Sequence, residues 1–295
     1  MAFNATAVFV RVVQAGGFSA AARQLALPTS TVSARVARLE KRLGVTLLQR
    51  TTRRLSLTEA GELYYRHAAT GLGHLLEAEA AVSAASGEPR GLLRVTAPPD
   101  LGDVVLSGLL IELRRAYPGI DVELILSDRT LDLVAEGLDA AIRAGELRDS
   151  TLVARRVGIA CWAPYASPGY LRRMPAPARP EQLSQHDCLQ FTPLGREHWI
   201  LSDTRSSVTI PLDARIVVND FGVVKSLALA GAGVALLPTY MCREETASGK
   251  LTRLLPEWRA KADPVQLVYP RQKFVPPKLR VFVDLAAEVL KRWLD

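Results

Sequence analysis

The chain has 295 residues, 48% of them apolar and 23% charged, and a formal net charge of +7. That length provides for two or three separate cores, and the composition excludes a disordered or fibrous protein. The longest apolar run, residues 227–238, is too short to span a bilayer, and the first residues lack the basic segment and continuous apolar stretch of an export signal, so a cytoplasmic protein with no membrane partner is expected.

Cys161, Cys188 and Cys242 lie far apart and form no CxxC pair, which points to reduced, buried thiols and not to a disulfide framework or a zinc site. The charge is concentrated at one end. Residues 1–58 carry nine Lys or Arg against the single acid Glu40, a net +8, whereas the remaining 28 bases and 29 acids leave −1. A basic head on a neutral body is the footprint of a module that displaces counterions from phosphates, or else of a merely solvated basic face.

Residues 3–15 set Phe9, Val12 and Val13 on one helical face, and Gly16-Gly17 ends that helix. Ser19 is placed to cap a second helix, 20–25, whose alanine run suits close packing. After a turn over 26–29 containing Pro28, a third helix is predicted from about residue 30 to Leu43, capped by Thr29 or Ser30 and closed by Gly44. Val32, Val36, Leu39 and Leu43 make its buried stripe; Ser30, Ala34, Ala37 and Lys41 fall opposite, with Thr31, Ser33 and Arg38 on the shoulders. That outer face is small, polar and basic, which suits a helix entering the major groove.

Residues 45–48 and 55–57 read as a two-stranded hairpin, or wing, with Arg50, Arg53 and Arg54 at its tip. Thr58 caps a proline-free stretch from 59 to about 86, long enough to want a partner helix and so to serve as a dimerisation linker. Residues 87–91 mark a boundary. Beyond it strand 92–97, helix 106–116, strand 120–126 and a helix near 131–136 alternate, which predicts an α/β body with a largely parallel sheet.

The head motif Phe9-x-x-Val12-Val13-x-x-Gly16-Gly17-Phe18-Ser19, with Ser30-Thr31-Val32-Ser33, Leu43-Gly44-Val45 and Arg50-Thr-Thr-Arg53-Arg54-Leu55-x-Leu57-Thr58-x-Ala60-Gly61, resembles the LysR-type transcriptional regulators. In the body, Leu138-Asp139-Ala-Ala-Ile142-Arg143-Ala-Gly145, His186-Asp187-Cys188-Leu189, Val218-Asn219-Asp220 and Pro277-Lys278-Leu279-Arg280 resemble the same family. The resemblance implies a winged helix-turn-helix DNA-binding domain over 1–58, a linker helix over 59–87 and a periplasmic-binding-protein-like (type 2) α/β domain over 91–295. The latter would comprise one subdomain of 91–161 and 266–295 and another of 162–265, with a small-molecule effector between them. It also implies a homo-oligomer, dimer or tetramer, that reads an interrupted inverted repeat in double-stranded DNA, with RNA polymerase as a further partner and no cofactor.

Carried over by position, Thr29, Ser30, Ser33 and Ala34 sit where the family contacts bases, and Arg35, Arg38, Arg50, Arg53 and Arg54 where it grips the backbone or minor groove; Thr31 belongs to the same DNA-binding set. Arg35 could instead form a surface ion pair. The effector site would draw on Pro98, Pro99 and Asp100, on Arg143 and Gly145, on Phe191, Thr192 and Pro193, and on Asn219, Asp220 and Phe221. Arg143 would meet an anion, such as a small organic acid, or pair with a nearby acid; buried charge needs a partner in either case. Gly231-Ala-Gly233 is not set between strand and helix, so turn or packing geometry fits it better than dinucleotide binding. His67 and His74 share a helical face without further metal ligands, and no catalytic motif is present, so an enzyme is not expected.

Overall fold

A computed structural model describes residues 2–50, 55–85, 88–145, 152–192, 197–260, 262–272 and 274–294. The apolar spacing of the first segment becomes α1 (Ala2–Gln14), followed by Gly16 in the left-handed region at φ 69°. α2 (Phe18–Gln24) and α3 (Thr29–Leu43) follow. Neither uses the expected side-chain cap. Ser19 lies inside α2, and α3 starts one residue early because Pro28 already holds the extended conformation that leads into a helix (φ −60°, ψ 141°). Gly44, at φ 71°, closes α3 by returning its N–H to the Glu40 carbonyl.

Val32, Val36 and Leu39 are buried, but Leu43 stays 38% exposed, so the apolar stripe stops a turn earlier than its spacing predicts. The wing is β1 (Leu48–Arg50) paired antiparallel with β2 (Leu55–Leu57). Thr58 then caps α4 (Glu59–Ala85): its Oγ1 accepts the Gly61 N–H at 2.9 Å and donates to the Thr46 carbonyl at 2.7 Å. The start of α4 also completes the head. Phe9 meets the Tyr64 and Tyr65 rings edge-on at 5.6 and 6.4 Å, and Tyr65 and Ala69 belong to the head's core, which therefore runs past residue 58.

The body continues through β3 (Gly91–Ala97), α5 (Ser107–Ala116), β4 (Ile120–Leu126), β5 (Ala140–Ala144) and β6 (Leu152–Ala160). The chain crosses at Cys161 into β7 (Trp162–Ala166), α6 (Pro168–Leu171), β8 (Cys188–Phe191), β9 (His198–Ser202), β10 (Ser207–Pro211) and β11 (Ile216–Val218). α7 (Phe221–Leu229), β12 (Val234–Pro238), α8 (Arg243–Ala247), β13 (Thr252–Arg253) and β14 (Arg259–Ala260) complete that half, before β15 (Asp263–Pro270) and α9 (Pro277–Trp293) return to the first. The stretch 131–136 is not a helix. It is a single turn in which the Asp132 carboxylate takes the Val134 and Ala135 amides, too short to repay helix nucleation.

The two main sheets run β4-β3-β5-β15-β6 and β11-β8-β12-β7-β13. Neither is largely parallel. β3 pairs parallel with β4 and β5, and β8 with β11 and β12, but β15 and β7 enter antiparallel. A parallel neighbour requires a long crossover, whereas β7 and β15 each enter their sheet straight from the other half and need none. All of β15, including Asp263 to Val265, pairs with β6, so the return crossing precedes residue 263 instead of following Val265.

Candidate DNA interface and effector crevice

Core packing orients α3. With Val32, Val36 and Leu39 turned inward, Thr29, Ser30, Ala34, Ala37, Arg38 and Lys41 are exposed, and Thr31, Ser33 and Arg35 are half-buried at its flanks. Glu40, the head's one acid, faces the other way: its carboxylate accepts the Leu47 and Leu48 amides at 2.8 and 3.0 Å. That contact ties the start of the wing to α3 and takes the negative charge off the basic face. Arg50 ends β1 with its side chain outside the described residues, and Arg53 and Arg54 lie outside them altogether.

In the body the crevice lies at the carboxyl ends of the strands, where open α/β sheets bind ligands at the point from which the chain leaves in opposite directions. β3 is such a point, having β4 on one side and β5 on the other. A cavity of about 230 Å³ opens there. Pro98 and Asp100 reach it from the end of β3, Asp128 and Thr130 from beyond β4, and Arg143 from β5; the second subdomain adds Phe191 from β8, Phe221 from α7 and Tyr240 from beyond β12. Trp162, just past the crossing, and Val265, on the returning strand, line it as well.

The polar groups are tightly held. The Tyr240 hydroxyl donates to Asp100 Oδ2 across the crevice, linking the subdomains. Burial raises the Asp100 carboxyl against the opposing effect of that hydrogen bond, and burial with the facing carboxylate pushes the Tyr240 hydroxyl well up. Arg143 Nη1 donates to the Ser127 carbonyl at 3.0 Å and Nη2 reaches Thr96 Oγ1 at 3.5 Å. Burial lowers the Arg143 guanidinium, opposed by the charge of Asp128. Phe191 and Phe221 stack with ring centroids 3.6 Å apart.

A family profile described as a bacterial regulatory helix-turn-helix protein of the lysR family matches residues 3–62, and one described as the LysR substrate binding domain matches 86–291. The chain belongs to the LysR family of transcriptional regulators. Among relatives, an HTH-type transcriptional regulator of Xanthomonas campestris pv. campestris is 39% identical over 95% of this chain and 83% of its own length. CrgA of Neisseria meningitidis, a LysR-type transcriptional regulator, is 37% identical in its solved structure, with a TM-score of 0.64 over 97% of this chain and 98% of that one. The full-length Vibrio cholerae virulence activator AphB is 30% identical, with a TM-score of 0.65 over 98% and 99%. This LysR-type regulator therefore joins a helix-turn-helix head to an effector-binding body, and among its described residues no single helix is long and apolar enough to cross a membrane.

Of the crevice residues expected from the regulator's sequence, Pro98, Asp100, Arg143, Phe191 and Phe221 line the cavity, whereas Pro99, Gly145, Thr192, Asn219 and Asp220 do not, and Pro193 lies outside the described residues. Asp220 has a structural task, capping α7 by accepting the Val223 N–H at 2.9 Å. Gly145 likewise gives its carbonyl to Gln266 at 2.8 Å. Trp162, Tyr240, Asp128 and Thr130 were missed. Trp162 was within reach of sequence reasoning, since it immediately follows Cys161, the crossing at which the two halves must face each other.

Proposed function

We propose that this regulator reads an interrupted inverted repeat in double-stranded DNA through the N-terminal half of α3, with the wing beside it, and that a small molecule in the crevice modulates the binding. The observation that carries the reading is the sidedness of α3, small and hydroxyl-bearing where it is exposed near its start, and basic at Arg38 and Lys41, with Glu40 withdrawn. Short hydroxyl side chains and Ala34 can discriminate base edges and thymine methyls, while arginines on phosphate give affinity without sequence information. Thr29, Ser30, Thr31, Ser33 and Ala34 take the base-reading role; Arg35, Arg38, Arg50, Arg53 and Arg54 take the backbone.

The working unit is a homo-oligomer, dimer or tetramer, joined through the 59–87 linker, with the DNA-binding domain over 1–58 and the effector-binding domain over 91–295. It acts in the cytoplasm by binding and not by turnover, with RNA polymerase as a further partner. The test is fluorescence anisotropy on a selected duplex and on random-sequence duplex across a salt series. Ser33→Ala should weaken the selected site by roughly 1–3 kcal/mol and spare random DNA, whereas Arg38→Ala should weaken both and flatten the salt slope by about one unit. Equal loss on both duplexes from Ser33→Ala would refute the division of roles.

A further inference from the structure

The cavity's size, walls and charge narrow what it can take. An engineered cavity of about 150 Å³ suffices for benzene, so about 230 Å³ holds one ring with one or two small substituents. Four of its lining residues are aromatic: Trp162, Phe191, Phe221 and Tyr240. Faces of this kind favour a planar ring laid against them in an offset or edge-on arrangement.

Arg143 is the one cation among the described lining residues. Its two hydrogen bonds go to neutral oxygens, those of Ser127 and Thr96, and among the described residues it forms no ion pair, so its remaining N–H groups can meet a carboxylate. Asp128, whose charge also acts on Arg143, lines the cavity as well, so the site has at most one cation to offer and disfavours a second negative group. Trp162, 8% exposed, offers part of the ring surface of the cavity wall.

We propose that the crevice binds a single-ring aromatic monocarboxylate, its carboxylate on Arg143 and its ring among Trp162, Phe191 and Phe221. This rests on the crevice being the effector site. Because Arg143 comes from the first subdomain and the phenylalanines from the second, such a ligand fastens the two together.

The experiment is calorimetric titration of the full-length protein with benzoate and 3-hydroxybenzoate, compared with cyclohexanecarboxylate (same charge, no planar ring), benzyl alcohol (ring, no charge) and phthalate (second carboxylate). The two aromatic monoacids should bind once per chain, and each comparison compound at least about tenfold more weakly. Arg143→Gln should weaken benzoate by at least about tenfold, with Arg143→Lys between it and the native protein, and thermal melting of each variant reports whether it folds. Cyclohexanecarboxylate or phthalate binding as tightly as benzoate would overturn the proposal, as would benzoate binding unaffected in a folded Arg143→Gln protein. If neither monoacid binds, a panel of amino acids, aliphatic acids and sugars separates the two levels. A panel member that binds and is lost in Arg143→Gln or Phe221→Ala leaves the crevice as effector site and removes the aromatic-acid assignment; binders indifferent to both substitutions remove the crevice reading as well.

Discussion

Gly61 shows how little room the head leaves at the junction of wing and linker. A Cβ on it would stand 2.0 Å from the Leu47 carbonyl oxygen, a backbone atom that cannot swing aside, so Gly61→Ala should destabilise the head by about 1–3 kcal/mol or more, measured by urea unfolding. Gly233, with 2.1 Å to the Asp187 carbonyl oxygen, is the same case in the body, and it gives Gly231-Ala-Gly233 a packing role. Glu40→Ala leaves the Leu47 and Leu48 amides without their acceptor and should cost roughly 1–3 kcal/mol in the same measurement. For Asp100 the sign follows from burial, which raises its pKa above the ordinary 3.8, so its favourable contribution is complete below 3.8 and is lost as pH rises through the folded-state value. Asp100→Asn does not titrate; its melting temperature relative to the native protein should climb across that window, and a constant difference would contradict this. At this scale the sequence was least legible. The end of the first body strand placed Asp100 and the family resemblance placed Arg143, but an aspartate that caps α7 and one that faces the crevice look alike in a string, and only the folded chain separates Asp220 from Asp100.

Helices and strands were far more legible, because a buried stripe or an alternating run is repeated many times along an element and a single cap is not. α3 and β4 fall within a residue of their expected bounds. The failures have local causes. Pro28 supplied the backbone geometry for which Thr29 or Ser30 had been expected to act, and the 131–136 stretch has the residues for a helix but only enough length for one turn. The aromatic pair Tyr64-Tyr65, which locks α4 onto Phe9, carried no signal of its own inside a long amphipathic stretch. At the junction of β2 and α4, Thr58→Ala removes the Gly61 cap and the tie to Thr46 together, and should lower head stability by roughly 0.5–2 kcal/mol in urea unfolding, with Thr58→Ser restoring most of it.

For the whole molecule, the decisive arrangement is a crevice whose walls belong to different subdomains and whose body is tied through α4 to the DNA-reading head. The alternation of strands and helices made an α/β body legible, but the antiparallel entry of β7 and β15 was not, because it depends on where the chain crosses between halves and no local pattern marks a crossing. Coupling between crevice and head is reciprocal by linkage: an effector that shifts operator affinity must itself bind more tightly or more weakly, by the same factor, when operator is present. The central claim, that the head reads sequence as part of a symmetric assembly, is tested most directly by selecting bound duplexes from a random pool at fixed, near-physiological salt. The account predicts enrichment of an interrupted palindrome with half-sites separated by about one helical turn. Salt-sensitive retention of DNA with no enriched motif would contradict it, and would reduce the basic head to a nonspecific phosphate-binding module.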